Sequence, residues 1–312
     1  MTKCKCWAAV LIAVLFMGCG GADRAKKAYE KGNSCFDIQD YDGAVTAFTD
    51  AIRLDPKYAR AFYNRGLAYR RKGDLDKSIA DYTEAIRLDP RDPNLAKVYC
   101  NRGAAYTYKG DFDKGIADCT EAIRLDPTSA KAYHNRGTAY YNKGDSDKAI
   151  ADYTDVIRLD PKYADAYYSR GVAYGKKRAY EKEIADYTEA IRLDPKCEVT
   201  YCDRGAVYAK KGEFDKAIAD ETEAIRLDPK DPLTYNNRGW AYGQKGDYDK
   251  AIADCTEAIQ LNPKYAAAYY NRGLACEKKG DKAKADEDFA QAKKLGYKGP
   301  TKQESSKLEK TP

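Results

Sequence analysis

An all-α array of about eight stacked helix-turn-helix repeats is what this 312-residue sequence predicts, on three observations. Gly32, Gly66, Gly103, Gly137, Gly171, Gly205, Gly239 and Gly273 recur every 34 residues, with one step of 37. Pro56, Pro90, Pro127, Pro161, Pro195, Pro229 and Pro263 keep the same interval and the same longer step. Between these markers apolar residues fall three or four apart, which is the period of an α-helix. A fixed interval of this size means one supersecondary unit stacked many times. Such an array offers a long surface rather than one deep pocket, so binding is expected before catalysis.

Composition agrees with a thin stack. Charged residues make up 33% of the chain, yet it holds 28 Tyr. A stack has much surface per residue and buries small and aromatic side chains between neighbours. The net charge of +6 includes Lys3 and Lys5 of the leader. A balance that mild does not argue for nucleic acid, and no nucleic-acid partner is expected.

Residues 1–18 read as a signal peptide. Lys3 and Lys5 precede an apolar run from Trp7 to Met17, which is too short to span a membrane as a helix and suits a signal-peptide core. Leu15-Phe16-Met17-Gly18-Cys19 resembles a bacterial lipobox, with a small residue before the Cys and Phe16 where Leu is usual. The resemblance implies an exported, membrane-anchored lipoprotein of a bacterial cell envelope, acylated at Cys19, with residues 19–24 as a linker. The alternative is a cysteine that lies beside an ordinary secretory cleavage site.

The repeats occupy residues 25–296. Each opens on a Tyr-rich first helix around Asn-Arg-Gly, as in Tyr63-Asn64-Arg65-Gly66. A Gly-Asp turn such as Gly73-Asp74 ends that helix and caps the next. The second helix runs to an Asp-Pro such as Asp89-Pro90, because proline cannot continue it. This unit resembles the tetratricopeptide repeat (TPR). The family's Gly, Tyr, Ala, aromatic, Ala and Pro slots are filled by Gly66, Tyr69, Ser78, Tyr82, Ala85 and Pro90 in the second repeat. In the fourth they are Gly137, Tyr140, Ala149, Tyr153, Val156 and Pro161. The resemblance implies a right-handed superhelical solenoid whose first helices line a concave face.

Ile or Val fills two further slots of each second helix, such as Ile79 and Ile86, except in the last repeat, where Asp286 and Lys293 stand. These side chains are expected to pack on the following repeat, and the last helix to act as its own cap. Residues 297–312 are rich in Lys, Ser, Glu and Pro and read as a disordered tail. Three places leave the pattern. Three extra residues near Pro93 predict that the third repeat's first helix starts about one turn early, with Asp92 as N-cap. Arg178 replaces the turn glycine of repeat 5. Glu183 and Glu221 occupy slots that are small or aromatic elsewhere. Those carboxylates are expected to reach solvent or an Arg, or else to mark a hinge or ligand site between repeats 5 and 6.

Catalytic and metal chemistry is sparse. His134 is the only histidine, and no phosphate loop, zinc-type Cys pair or nucleophile elbow occurs. No enzyme activity, cofactor or metal is expected. Cys35, Cys119, Cys255 and Cys276 fill aromatic slots and read as small buried hydrophobes. Cys100 and Cys202 are expected on the concave face and Cys197 in a loop, all as free thiols. The Arg of each Asn-Arg-Gly accompanies an Asp of the second helix, Arg65 with Asp81 and Arg102 with Asp118. Both change together in repeat 1, to Lys31 and Ala47. That covariation within the chain predicts a structural ion pair rather than a ligand stripe.

The candidate groove comprises Asn33, Arg60, Tyr63, Asn64, Arg70, Arg71, Lys97, Asn101, Lys131, His134, Asn135, Tyr141 and Asn142, with no acid among them. Such a surface suits a peptide or protein segment held through amides, rings and cations. Some family members grip a C-terminal carboxylate with Lys, Asn, Asn, Lys and Arg. Here Asn33, Asn64 and Lys97 match three of those slots, while Tyr29 and Asn101 replace the first Lys and the Arg. The reading is a protein-interaction scaffold, lipid-anchored at the envelope. An electrostatic module for an acidic polymer or glycan is the alternative, and a merely solvated face the plain one.

Overall fold

The computed structural model describes residues 5–298, with side chains from residue 21 onward. The signal-peptide and lipidation expectations therefore rest on side chains outside that range, as does most of the expected tail. Among the described residues there are sixteen helices and no strand. They divide into two compact units, with the boundary between Pro161 and Lys162.

The first unit holds α1 (Lys5–Asp37), α2 (Tyr41–Leu54), α3 (Ala59–Arg71), α4 (Leu75–Leu88), α5 (Leu95–Tyr108), α6 (Phe112–Leu125), α7 (Ala130–Lys143) and α8 (Ser146–Leu159). The second holds α9 (Ala164–Lys176), α10 (Tyr180–Leu193), α11 (Glu198–Lys210), α12 (Phe214–Leu227), α13 (Pro232–Gln244), α14 (Tyr248–Leu261), α15 (Ala266–Lys279) and α16 (Lys282–Lys294). Odd-numbered helices are the first of each repeat and even-numbered ones the second. Among the described residues no helix is long and apolar enough to cross a membrane.

Each pair closes on a glycine, against a ring in five repeats, against Cys119 or Cys255 in two and against Glu221 in one. A Cβ on Gly66 would stand 2.8 Å from the Tyr82 ring, and one on Gly32 would stand 2.5 Å from Phe48. Only glycine lets the two helices approach this closely. Tyr82 and Phe48 are fully buried as a result. Second helices pack forward onto the next repeat: Ile86 joins Tyr82, Ala85 and Val98, and Ile123 joins Cys100, Ala122 and Ala132. In α16 Asp286 and Lys293 are exposed, as a terminal cap requires.

The Arg–Asp pairs form as expected and do more. Arg65 grips Asp81 through Nε and Nη2, both at 2.8 Å, and Arg102, Arg136, Arg170, Arg204, Arg238 and Arg272 grip the Asp sixteen residues on in the same way. Within each unit Nη1 donates to a Thr of the preceding repeat: Arg65 to Thr49, Arg102 to Thr83, Arg136 to Thr120, Arg204 to Thr188, Arg238 to Thr222 and Arg272 to Thr256. One guanidinium thus stitches three helices. Burial outweighs the pull of the arginine and holds the Asp81 and Asp152 carboxyls above the usual range. The pairs therefore fix geometry more than they add net stability.

Two irregular places differ from expectation. α5 begins at Leu95, not a turn earlier. Asp92 Oδ1 accepts the Asn94 amide at 2.6 Å, and this side-chain turn holds Pro93 and Asn94 outside the helix. In repeat 5 the turn keeps its length, with Arg178 forced to a φ of +56° where six other repeats place glycine and repeat 1 places Gln39 at +62°. Ala179 then stands at the N-cap of α10 without a side-chain acceptor, whereas Asp74, Asp145, Asp247 and Asp281 cap their helices. Replacing Arg178 by Gly and Ala179 by Asp is expected to stabilise the second unit by about 1–2 kcal/mol, from relief of the left-handed residue and a new cap. Urea denaturation of the double variant checks this, and an unchanged midpoint would refute it.

Candidate peptide-binding face

The first helices of the first unit carry the predicted groove residues, and the structure separates them into two groups. One group is bonded across neighbouring helices. Asn64 Nδ2 donates to Tyr29 Oη at 3.0 Å and to Asn33 Oδ1 at 2.7 Å. Asn101 Nδ2 donates to Tyr63 Oη at 2.9 Å, and Lys131 Nζ donates to Asn101 Oδ1 at 3.1 Å. Asn135 Nδ2 reaches the Cys100 carbonyl at 3.3 Å and its Sγ at 3.2 Å. Asn101 and Cys100 are largely buried on α5, and Asn101 still borders the larger recess described below. Cys202 is likewise buried, while Cys197 lies at the N-cap of α11, and the seven described cysteines are free thiols. His134 packs its ring 5.5 Å from Tyr153.

The other group faces solvent, and Lys131 belongs to both. Arg60, Arg71, Lys97, Lys131 and Asn142 are exposed, and Arg70 and Tyr141 are half-buried. Two recesses form here. The smaller, of about 380 Å³, is lined in part by Tyr29, Arg60, Tyr63, Asn64 and Lys97, but also by Asp89 and Asp92. Arg60 lies 4.0 Å from Asp92, so this recess is close to neutral. The larger, of about 680 Å³, is lined by Phe36, Leu67, Arg70, Arg71, Gly73, Leu75, Asn101, Tyr108 and Lys131. It has three cations and no carboxylate. Tyr108 is 73% exposed, and the Arg70 guanidinium lies 5.7 Å from its ring centre.

Phe36, Leu67, Leu75 and Tyr108 were not among the expected groove residues. Tyr108 occupies the helix position that Arg71 and Asn142 hold in the adjacent repeats, so extending the groove rule to repeat 3 finds it.

Glu183 and Glu221 reach neither solvent nor an Arg, which corrects that expectation. They are 6% and 1% exposed. Glu221 takes the place of the ring, lies close to Cys202 and Asn237, whose amide donates to the Cys202 Sγ at 3.5 Å, and leaves Oε2 without a hydrogen-bond partner. Burial pushes its carboxyl up to about 8. Among the described residues no cluster of His, Cys, Asp and Glu could hold a metal ion.

Paired antiparallel helices, stacked by a repeating stitch and presenting one helix of each pair to a ligand, define a helical-repeat scaffold. Family profiles described as tetratricopeptide repeat match residues 23–93, 96–129, 119–151, 164–197, 232–265 and 255–287, and one described as TPR repeat matches 137–177 and 205–246. The chain belongs to the tetratricopeptide repeat family. Its fold is shared with solved structures. A tetratricopeptide repeat protein from Parabacteroides merdae is 22% identical, with a TM-score of 0.58, covering 80% of this chain and 98% of that one. The C-terminal part of a TPR repeat-containing protein from Cytophaga hutchinsonii is 19% identical, with a TM-score of 0.62, covering 78% and 98%. YrrB, described as a TPR protein with an unusual peptide-binding site, is 23% identical, with a TM-score of 0.52, covering 62% and 98%. No curated protein matches the sequence.

Proposed function

We propose that this protein is a non-enzymatic interaction scaffold whose first unit holds an acidic, partly apolar polypeptide segment. The observation that carries this is the larger recess. Arg70, Arg71 and Lys131 line it without a carboxylate, and Tyr108, Phe36, Leu67 and Leu75 supply apolar surface beside them. Carboxylates of a bound segment would meet the cations, and its apolar side chains would cover the rings. An acidic polymer or glycan would use the same cations but leave the apolar wall uncovered, so the peptide reading is preferred.

The test is a titration with a fluorescein-labelled peptide, Glu-Asp-Phe-Leu-Glu-Asp. Changing Arg70 and Arg71 to Glu is expected to weaken its binding at least tenfold. Equal affinity in the variant sinks the reading. If polyglutamate competes as well as the peptide and salt abolishes both, the polymer alternative takes its place.

The scaffold is further proposed to be tethered to a bacterial envelope membrane through acyl chains on Cys19, supported by the Leu15–Cys19 motif. Radiolabelled palmitate is expected to enter the protein and to be lost with Cys19→Ser. Incorporation that survives the substitution counts against the tether.

A further inference from the structure

One patch of the second unit brings two carboxyls together on neighbouring helices. Glu183 of α10 stands in the slot that holds Ser78, Gly115, Ala149, Ala217, Ala251 and Ala285 in other repeats. Its Oε1 is 3.4 Å from the Tyr187 hydroxyl, and its Oε2 has no hydrogen-bond partner, although the residue is only 6% exposed. The carboxyl fits because α9 has Gly175 opposite it, where a Cβ would stand 2.5 Å from Oε1. Asp203 of α11 accepts the Tyr168 hydroxyl of α9 at 2.9 Å. The Tyr168 and Tyr187 rings lie 5.7 Å apart, so the two carboxyls and two phenols share one patch. Lys210 of α11 is close enough for its field to reach both carboxyls, yet burial still holds both above the usual range.

A buried carboxyl with one bare oxygen is costly where a small residue would serve, as it does in every other repeat. The residue types here match one ligand chemistry. Two carboxylates supply charge-assisted acceptors, and two phenol rings supply faces on which a cation rests. We propose that this patch is a recess for a lysine or arginine side chain of a partner polypeptide, with Glu183 and Asp203 as its ion-pair acceptors. Entry of the cation gives Glu183 Oε2 the partner it lacks and favours the ionised carboxylate. The patch is formed by Tyr168 of α9, Glu183 and Tyr187 of α10, and Asp203 and Lys210 of α11.

The experiment is calorimetric titration of the full chain with the capped peptide Gly-Arg-Gly-Arg-Gly. The variant is Glu183→Ala with Asp203→Asn. Both changes install residues that other repeats carry at the same slots, so folding is retained. The wild-type protein is expected to bind at least tenfold more tightly than the variant. Equal binding by both proteins, or no binding by the wild type, overturns the proposal. So does a variant that only melts higher, which would leave Glu183 with a purely structural effect. Loss of acidic-peptide binding at Arg70 and Arg71 bears on the first unit alone, so the two readings stand or fall separately.

Discussion

Replacing Glu221 by glutamine is expected to stabilise the second unit by on the order of 3 kcal/mol at pH 7 and to flatten its dependence on pH. The sign follows from burial. The Glu221 carboxyl titrates near 8 in the fold against an ordinary value of 4.5. The folded state therefore binds a proton that the unfolded chain releases. Stability from this group is complete below about pH 4.5 and declines as pH rises, until the folded carboxyl ionises near 8. Each pH unit in that window removes about 1.4 kcal/mol. Glutamine resembles the protonated acid and has no such dependence. Glu221→Phe goes further, because it restores the ring that Phe48 and Phe289 supply in repeats 1 and 8. Amide exchange of α11 to α14 between about pH 5 and pH 9 is the measurement, since opening of one repeat need not unfold the whole chain. Equal pH slopes for wild type and Glu221→Gln would show that the carboxyl is ionised in the fold.

The second large effect belongs to the stitches. Asp118→Ala is expected to destabilise the first unit by about 3 kcal/mol, because it leaves the largely buried Arg102 guanidinium without its counter-charge. The double change Arg102→Lys with Asp118→Ala is expected to recover much of that loss. Repeat 1 already carries this pair of residues, Lys31 and Ala47, and Ala47 is buried there without strain. Removing both partners of a buried polar pair is close to neutral, whereas removing one is not. Chemical denaturation of the two variants decides it: a double variant no better than the single would mean that Arg102 acts chiefly through Thr83.

What could be read beforehand follows the range of the interactions. The helix pairs were legible because Gly66, Asp74 and Pro90 act locally, each at a turn or a close contact. The Arg65–Asp81 pair was legible because its two positions change together in repeat 1. The bond from Arg65 to Thr49 was not, since Thr49 belongs to another repeat and its hydroxyl already serves the Val45 carbonyl. Glu183 and Glu221 were visible as misfits, but their surroundings were not. Gly175 makes room for one, and Cys202 with Asn237 lies beside the other. The recess was half legible: its cations stood out as a stripe, while Phe36 and Leu75 reach it from the end of α1 and the start of α4.

The near-identity of the repeats has a consequence for how the chain assembles. An Arg that grips an Asp and a Thr does so in the same way at six junctions, so it cannot tell a correct neighbour from a copy one repeat away. The cross-helix amides can. Asn64 meets Tyr29 and Asn33, Asn101 meets Tyr63, Asn135 meets Cys100, Asn237 meets Cys202 and Asn271 meets Asn236. Within the first unit the three junctions have three different partner sets, and in the second unit the Asn237 and Asn271 junctions differ from each other, so a repeat that docks on the wrong copy of its own unit strands a half-buried or buried amide. These asparagines act as address labels in a chain of near-duplicates. Making the labels alike should leave each repeat intact while letting newly made chains stack out of order.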